Sequence, residues 1–312
     1  MISGQKFLLI CFLLTGLNFH LLAQQKNPPE WPAVPTGEKP VCHLAYCFLY
    51  AEKHEQALWV AYELTAEETL KSYERSNKFL EDPKVSTGSA SNKDYSGSGF
   101  DRGHLAPAAD MGWSQQSMEE SFYFSNMSPQ RPECNRGIWK KGEEQVRDWA
   151  REYGKLLVVT GPVLREGLPS IGPNQVSVPE FYYKVLLHPD PKNSIAMAFI
   201  IPNHGSSNPL QSFAVPIDSV EKISGLDFFP WLPDAQEKKL EAENCTACWN
   251  WGKTPAPIHR AGSESKNSGH ENQSAAEMSE SDPYRCHGIT RKGERCKRKV
   301  KEAGGKCYQH GG

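Results

Sequence analysis

What most constrains the fold is a succession of short apolar runs that never settles into regular strand–helix alternation. WVAYEL (Trp59–Leu64) alternates in the way a half-buried strand does. LLVVTG (Leu156–Gly161), FYYKVLL (Phe181–Leu187) and SIAMAFII (Ser194–Ile201) are compact and rich in β-branched and aromatic residues. The last two flank the turn-like HPDPKN and predict a hairpin. Between the first run and the second, NRGIWKKGEEQVRDWAREY (Asn135–Tyr153) repeats Ile138, Trp139, Val146, Trp149 and Ala150 at roughly helical spacing. Strands and a helix in this order predict an α+β domain whose sheet is mainly antiparallel and flanked by helices.

Composition sets the boundaries of that domain. Only 38% of the 312 residues are hydrophobic, too few for the whole chain to pack as one globule. Residues 1–23 read as a signal peptide: Lys6, an apolar run from Phe7 to Leu22, then Ala23 as a small residue at the cleavage point. A spanning helix needs about 20 apolar residues, and no other segment supplies them. The mature chain is therefore expected to be secreted or periplasmic, with no transmembrane segment. Residues 24–40 read as a flexible lead-in and 41–252 as the globular domain. Residues 253–283, mostly Ser, Glu, Asn, Gly and Pro, read as a disordered linker. Residues 284–312 form a short module of their own. Of nine cysteines, Cys11 falls in the leader; Cys42 with Cys47 and Cys245 with Cys248 could pair locally, while Cys134 stands alone.

The chemistry concentrates in GSGFDRGHLAPAADM (Gly97–Met111). Alternate residues of an extended strand share a face, so Arg102 and His104 point the same way. Pro107 biases Ala106 away from helix and keeps the segment open. A neutral imidazole can take a proton from water near neutral pH, and a guanidinium can hold phosphate oxygens with paired donors. Alone, an Arg-x-His is more often a structural histidine in a polar turn. A second segment, beginning at Phe122, adds Asn126, Asn135 and Glu143. Asn135, Trp139 and Glu143 are spaced i, i+4, i+8 and would share a helix face. Asn135 could also be a simple N-cap, and Glu143 a solvated helix charge.

Together these segments resemble the DNA/RNA non-specific endonucleases, which are ββα-metal nucleases. The likeness runs from about Tyr46 to Ala235. It rests on WVAYEL, ERSNKFLEDP (Glu74–Pro83), DYSGSGFDRGHLAPAADM (Asp94–Met111), SNMSPQ (Ser125–Gln130), NRGIW (Asn135–Trp139) and VVTGPV (Val158–Val163). The resemblance implies an endonuclease acting on DNA and RNA with little sequence preference and leaving 5′-phosphates. It implies His104 as general base and Asn135 as the one protein ligand of Mg²⁺, with Mn²⁺ as a substitute. Glu143 would act on that ion through water, Arg75 and Arg102 would stabilise the phosphate, and Arg136 would join them in binding substrate. Asn126 would support the site. Two positions depart from the family pattern: Gly142 replaces a large apolar residue and Cys134 an apolar or aromatic one. A binding protein that keeps this fold without catalysis is the competing class, and the intact His104, Asn135 and Glu143 set favours the enzyme.

The last 29 residues carry a separate signal. Cys286, Cys296, Cys307 and His310 suit a tetrahedral structural Zn²⁺, although a disulfide would use the same thiols in an oxidising compartment. Between Arg285 and Lys301 eight cations face one anion, Glu294, giving +7. Such a run suits nucleic acid as a partner through counterion release, and equally a solvated surface. Oligomeric state is left open by the sequence.

Overall fold

The computed structural model describes residues 28–70 and 73–252. The leader, the linker and the Cys₃His module expected from the sequence lie outside these residues, as do Cys286, Cys296, Cys307 and His310.

The chain begins with the strands β1 (Val41–Cys42), β2 (Cys47–Ala51) and β3 (Gln56–Thr65). A short helix, α1 (Asn92–Tyr95), leads to β4 (Asp101–His104), then to α2 (Gln115–Glu120) and β5 (Met127–Gln130). The long helix α3 (Lys140–Tyr153) runs into β6 (Lys155–Pro162). Gly154, at φ +83°, makes that sharp reversal possible, since only glycine adopts it without strain. A small hairpin of β7 (Ser170–Ile171) and β8 (Val176–Ser177) precedes β9 (Phe181–His188) and β10 (Ile195–Pro202). The edge strand β11 (Ala214–Val215) and helices α4 (Ile217–Ser224) and α5 (Asp234–Ala242) complete the domain.

Seven strands form one sheet in the order β1-β2-β3-β6-β9-β10-β11, every neighbouring pair antiparallel. The expected hairpin is present, with Ala196 opposite Leu187 and Ile201 opposite Tyr182. Both faces of the sheet are covered. Val60, Tyr62, Leu64, Val158 and Leu186 face a core shared with Val146, Trp149 and Ala150 of α3. Trp59, Ala61, Leu157, Val159 and Val185 face a second core closed by Ile217 and Val220 of α4 and Leu240 of α5. WVAYEL is thus buried on both sides rather than on one. Its alternation reports which core each side chain enters, and only Glu63 reaches solvent.

Two further readings are corrected. The described part of the lead-in is packed, not loose: Trp31 and Val34 join the second core, and the Trp31 ring lies 6.0 Å from that of Trp59. The helix expected from Asn135 onward is also discontinuous. Cys134–Trp139 form a wide π-type turn broken at Gly137 (φ −108°, ψ −109°), and regular helix begins only at Lys140. Disulfides join Cys42 to Cys47 and Cys245 to Cys248; Cys134 is free and buried.

The strands β4 and β5 stand apart as a two-stranded ribbon with Arg102 opposite Pro129 and His104 opposite Met127. With the turn and α3 they form a ββα unit against the main sheet. Gly103 is dictated by packing, because a Cβ there would lie 2.2 Å from the Gln130 Oε1. A side chain in the middle of DRGH would therefore have to displace the buried Gln130 side chain.

Candidate active site

The ribbon, the turn and α3 converge on a cavity of about 340 Å³. His104 and Arg102 enter it from β4, as the two-residue period requires. Asn135 and Arg136 enter from the wide turn, Lys140, Glu143 and Arg147 from α3, and Arg75 from the segment after β3. All the residues expected to do chemistry, other than Asn126, thus line one space. Glu144 does not line it and instead faces Lys140 at 3.7 Å in solvent. A larger open groove of about 1030 Å³ lies beyond Phe79, but its charged lining includes Glu55 and Glu81 and it holds no histidine. The smaller cavity is the one that gathers the histidine, the asparagine and the cationic groups.

His104 is 8% exposed, its ring edge-on to Phe122 at 4.8 Å, and its Nε2 has no hydrogen-bond partner. Burial, reinforced by the Arg75 charge and only partly opposed by a hydrogen bond to the Arg102 backbone, pushes its pKa down to about 3. The imidazole is therefore neutral at physiological pH and presents an unshared nitrogen. The arginines are held in place by rings: the Arg102 guanidinium lies 5.1 Å from the Phe79 centroid and 5.8 Å from that of Tyr95, and Arg75 lies 4.9 Å from Phe122. Such cation–π seating contributes roughly 0.5–2 kcal/mol each and orients the guanidinium before any ligand arrives. The Arg102 Nε is likewise buried without a partner.

Asn135 is not a helix cap. Its amide nitrogen donates to Asp101 Oδ2 at 2.9 Å, which fixes the amide and leaves its carbonyl oxygen uncommitted. Asp101 also takes Arg136 in a two-pronged pair at 2.8 and 2.6 Å. Arg136 thus sits at the rim with its charge already matched. Glu143 has its pKa raised by burial, against the opposing pull of Lys184, Arg147 and Arg75. Asn126 stays out of the cavity. It accepts from Ala106 N at 2.8 Å and donates to Ala106 O at 2.9 Å and Ser121 O at 2.8 Å, clamping the loop that follows His104.

Sequence reasoning missed Lys140, Arg147 and Lys184. Arg147 follows Glu143 by one helical turn and donates to Asp110 at 2.7 Å, which also accepts from Tyr62 Oη at 2.8 Å. The i+4 spacing could have pointed to it. Lys184 is the single charge inside FYYKVLL, and its strand parity with Tyr182 and Leu186 was the available signal.

The family model for DNA/RNA non-specific endonucleases matches residues 32–235. The mitochondrial endonuclease G of Bos taurus is 38% identical over 247 residues, spanning 70% of this chain and 83% of its own. Nuclease C1 of Cunninghamella echinulata var. echinulata is 39% identical over 208 residues, 60% of this chain and 81% of its own. The mitochondrial nuclease EXOG of Danio rerio is 34% identical over 243 residues, 72% and 69% respectively. A solved EndoG/EndoGI complex superposes with a TM-score of 0.61 at 31% identity, covering 66% of this chain and 90% of the other. On the matched span, the motifs and the shared ββα-metal architecture, this chain belongs to the DNA/RNA non-specific endonuclease family.

Proposed function

We propose that the His104 cavity hydrolyses phosphodiester bonds of DNA and RNA with little regard to sequence. The observation that carries this reading is a buried, unpartnered His104 Nε2 sharing one cavity with Asn135, Glu143 and several guanidinium groups. His104, neutral because it is buried, accepts the proton of an attacking water at Nε2. Its imidazolium is costly in this setting until negative charge builds on the phosphate in front of it. Proton uptake and transition-state charge therefore favour each other. Arg75 and Arg102, already seated on aromatic rings, supply donors to the phosphate oxygens without reorganising. Contacts of this kind go to phosphate and sugar and read little of the base. We expect 5′-phosphate products.

The donor set also fits a magnesium ion. One uncommitted amide oxygen on Asn135 and a carboxylate on Glu143 suit a hard cation that keeps most of its waters, with Mn²⁺ as a substitute. Held there, the ion would supply charge neutralisation at the reacting phosphate. Export through the amino-terminal leader belongs to the same proposal. The relatives named above as mitochondrial carry a different address, while two disulfides in this domain favour an oxidising compartment.

The test uses purified chain with plasmid DNA and with RNA, in Mg²⁺ and in EDTA. Wild type should degrade both only with metal, and His104→Ala should lower kcat by about 10²–10⁴-fold with its circular dichroism unchanged. An inert wild type would leave a binding protein with the nuclease fold. Amino-terminal sequencing of the same preparation should begin at Gln24; an uncut Met1 would remove the export reading.

A further inference from the structure

Cys245 and Cys248 form a disulfide across a sequence separation of 3, closing the 3₁₀ turn Thr246–Cys248. Cys248 is exposed and Cys245 half-buried. A loop this short restricts the unfolded chain far less than a long one does, so stapling the domain is a poor reason for the bond. The other disulfide differs in setting. Cys42 and Cys47 are register partners on β1 and β2, whose ladder keeps them opposed with or without the sulfur bond. The Cys245–Cys248 turn belongs to no strand. It opens instead onto a cavity of about 300 Å³ whose charged lining is Lys192, Lys239 and Glu243. Partly exposed sulfur facing two ammonium groups and one carboxylate is a setting that stabilises a cysteine thiolate and favours exchange.

The turn is also an anchor. Its Thr246 carbonyl accepts from Trp251 Nε1 at 2.7 Å. Trp251 stands edge-on to Trp149 of α3 at 4.9 Å and to Phe199 of β10 at 6.2 Å. Trp249, 3% exposed, packs 4.6 Å from Trp149 and 5.5 Å from Tyr153, and its Nε1 donates to the Ala196 carbonyl at 3.4 Å. Between them Asn250 donates to Tyr153 Oη and Glu152 Oε1, both at 2.9 Å, and its carbonyl accepts from Trp149 Nε1. Residues 249–251 are thus a strap over the carboxy-terminal end of α3. The same helix presents Lys140, Glu143 and Arg147 to the His104 cavity. The sulfur-closed turn holds one end of the strap.

We propose that Cys245–Cys248 is a thiol–disulfide exchange site: a dithiol reduces it in the folded protein, and reduction frees the Trp249–Trp251 strap from α3 and lowers turnover at the His104 cavity. A thiolate of the dithiol attacks the exposed Cys248 Sγ and forms a mixed disulfide. The Cys245–Cys248 bond breaks, and its electron pair leaves as the Cys245 thiolate, beside Lys192 and Lys239. The second thiol of the reductant, as its thiolate, then attacks its partner sulfur and releases the Cys248 thiolate. The two cysteines take up the two protons that the dithiol gives up. Two electrons pass; the dithiol ends as a disulfide and the chain with two thiols. The turn around Thr246 is then open, and the Trp251 anchor goes with it. The exchange stands apart from the nuclease reading, and only its effect on turnover rests on that reading.

The test exposes the full chain to graded ratios of reduced to oxidised dithiothreitol, then alkylates with iodoacetamide and reads each cysteine by mass spectrometry. Circular dichroism, tryptophan emission and plasmid hydrolysis are followed in parallel. Cys245 and Cys248 should be alkylated together at a ratio about 10-fold or more below that needed for Cys42 and Cys47, in a chain whose circular dichroism is still native. Emission should move to the red in step with them, as Trp249 and Trp251 meet water, and kcat should fall several-fold; both should return on reoxidation. Cys245→Ser with Cys248→Ser should show the reduced emission from the start and no response to dithiol. Lys192→Gln with Lys239→Gln should slow the exchange by about 3–10-fold, since the departing thiolate loses its counter-charges. A pair reduced only as the fold melts, reduced without a change in emission or kcat, or exchanging at full rate in the lysine double variant would overturn the proposal. Should the serine variant fail to fold, the wild-type titration still decides, because it compares both disulfides within one chain. An inactive wild type would sink the nuclease reading, while alkylation and emission would still test the exchange.

Discussion

His104 and Glu143 sit in one cavity, yet their surroundings drive them in opposite directions. Burial and Arg75 depress the imidazole, and burial raises the carboxyl. Opposed shifts in a shared site are the signature of groups set to different tasks. The histidine shift has a consequence for folding that is independent of turnover. Its folded pKa of about 3 lies below the ordinary 6.5, so below pH 6.5 the unfolded chain takes up a proton that the native site refuses. Stability from this group is complete above pH 6.5 and is lost as pH falls toward 3. Between pH 7 and 5 the loss amounts to about 2 kcal/mol, from roughly 1.4 kcal/mol per pH unit. Urea unfolding at the two pH values should show His104→Gln losing about that much less than wild type. Identical losses would mean that the native imidazole is protonated at pH 5. This residue was legible in sequence because strand parity places Arg102 beside it. Lys184 was not, since the Trp139 ring it lies over is 45 positions back and is reached only through the tertiary fold.

At the scale of elements, the site is an arrangement of connections rather than of regular structure. The sequence pattern predicted one unbroken helix from Asn135, because spacing alone registers apolar residues and not backbone angles. The break at Gly137 turns Asn135 and Arg136 toward β4, where Asp101 accepts from both. Those bonds are made across 34 and 35 residues, beyond any local pattern. The loop after β4 depends on a similar long tie, the three hydrogen bonds of the Asn126 side chain. Asn126→Ala leaves one buried donor and two buried acceptors to be satisfied anew, at roughly 1–3 kcal/mol for each that stays unpaired. Tm and kcat should fall together. Asn126→Asp can still accept from Ala106 N, but it sets a carboxylate against the Ala106 and Ser121 carbonyls and should be at least as damaging. Calorimetry alongside plasmid assays decides this; normal kcat with lowered Tm would show that His104 keeps its place without the clamp. What was legible at this scale was the sheet, because each of its four long strands carries its own apolar run.

The whole molecule is electrostatically lopsided. The chain totals −2, and the run from Arg285 to Lys301 contributes +7, which leaves −9 on everything else. A net charge of that sign opposes the long-range approach of a polyanion, which the arginines of the cavity counter locally. A basic segment tethered to the same chain would offset this if it held polymer, by raising its local concentration. Each phosphate neutralised releases counterions, so affinity gained this way should fall steeply with salt, with a slope of roughly −0.9 per contact on duplex DNA. Deleting Pro283–Gly312 should therefore leave kcat on short oligonucleotides unchanged while raising KM for plasmid at moderate salt. The slope of log KM against log salt should also become shallower, by up to several units if most of the eight cations engage phosphate. If Cys286, Cys296, Cys307 and His310 hold a structural zinc, replacing Cys296 and Cys307 by Ser should abolish the zinc found by metal analysis. It should change the salt slope less than full deletion does, because the charges remain while their arrangement is lost. A truncated chain with the wild-type slope would show that the tail takes no part in holding substrate, and the affinity for polymer would then have to come from Arg75, Arg102 and their neighbours alone.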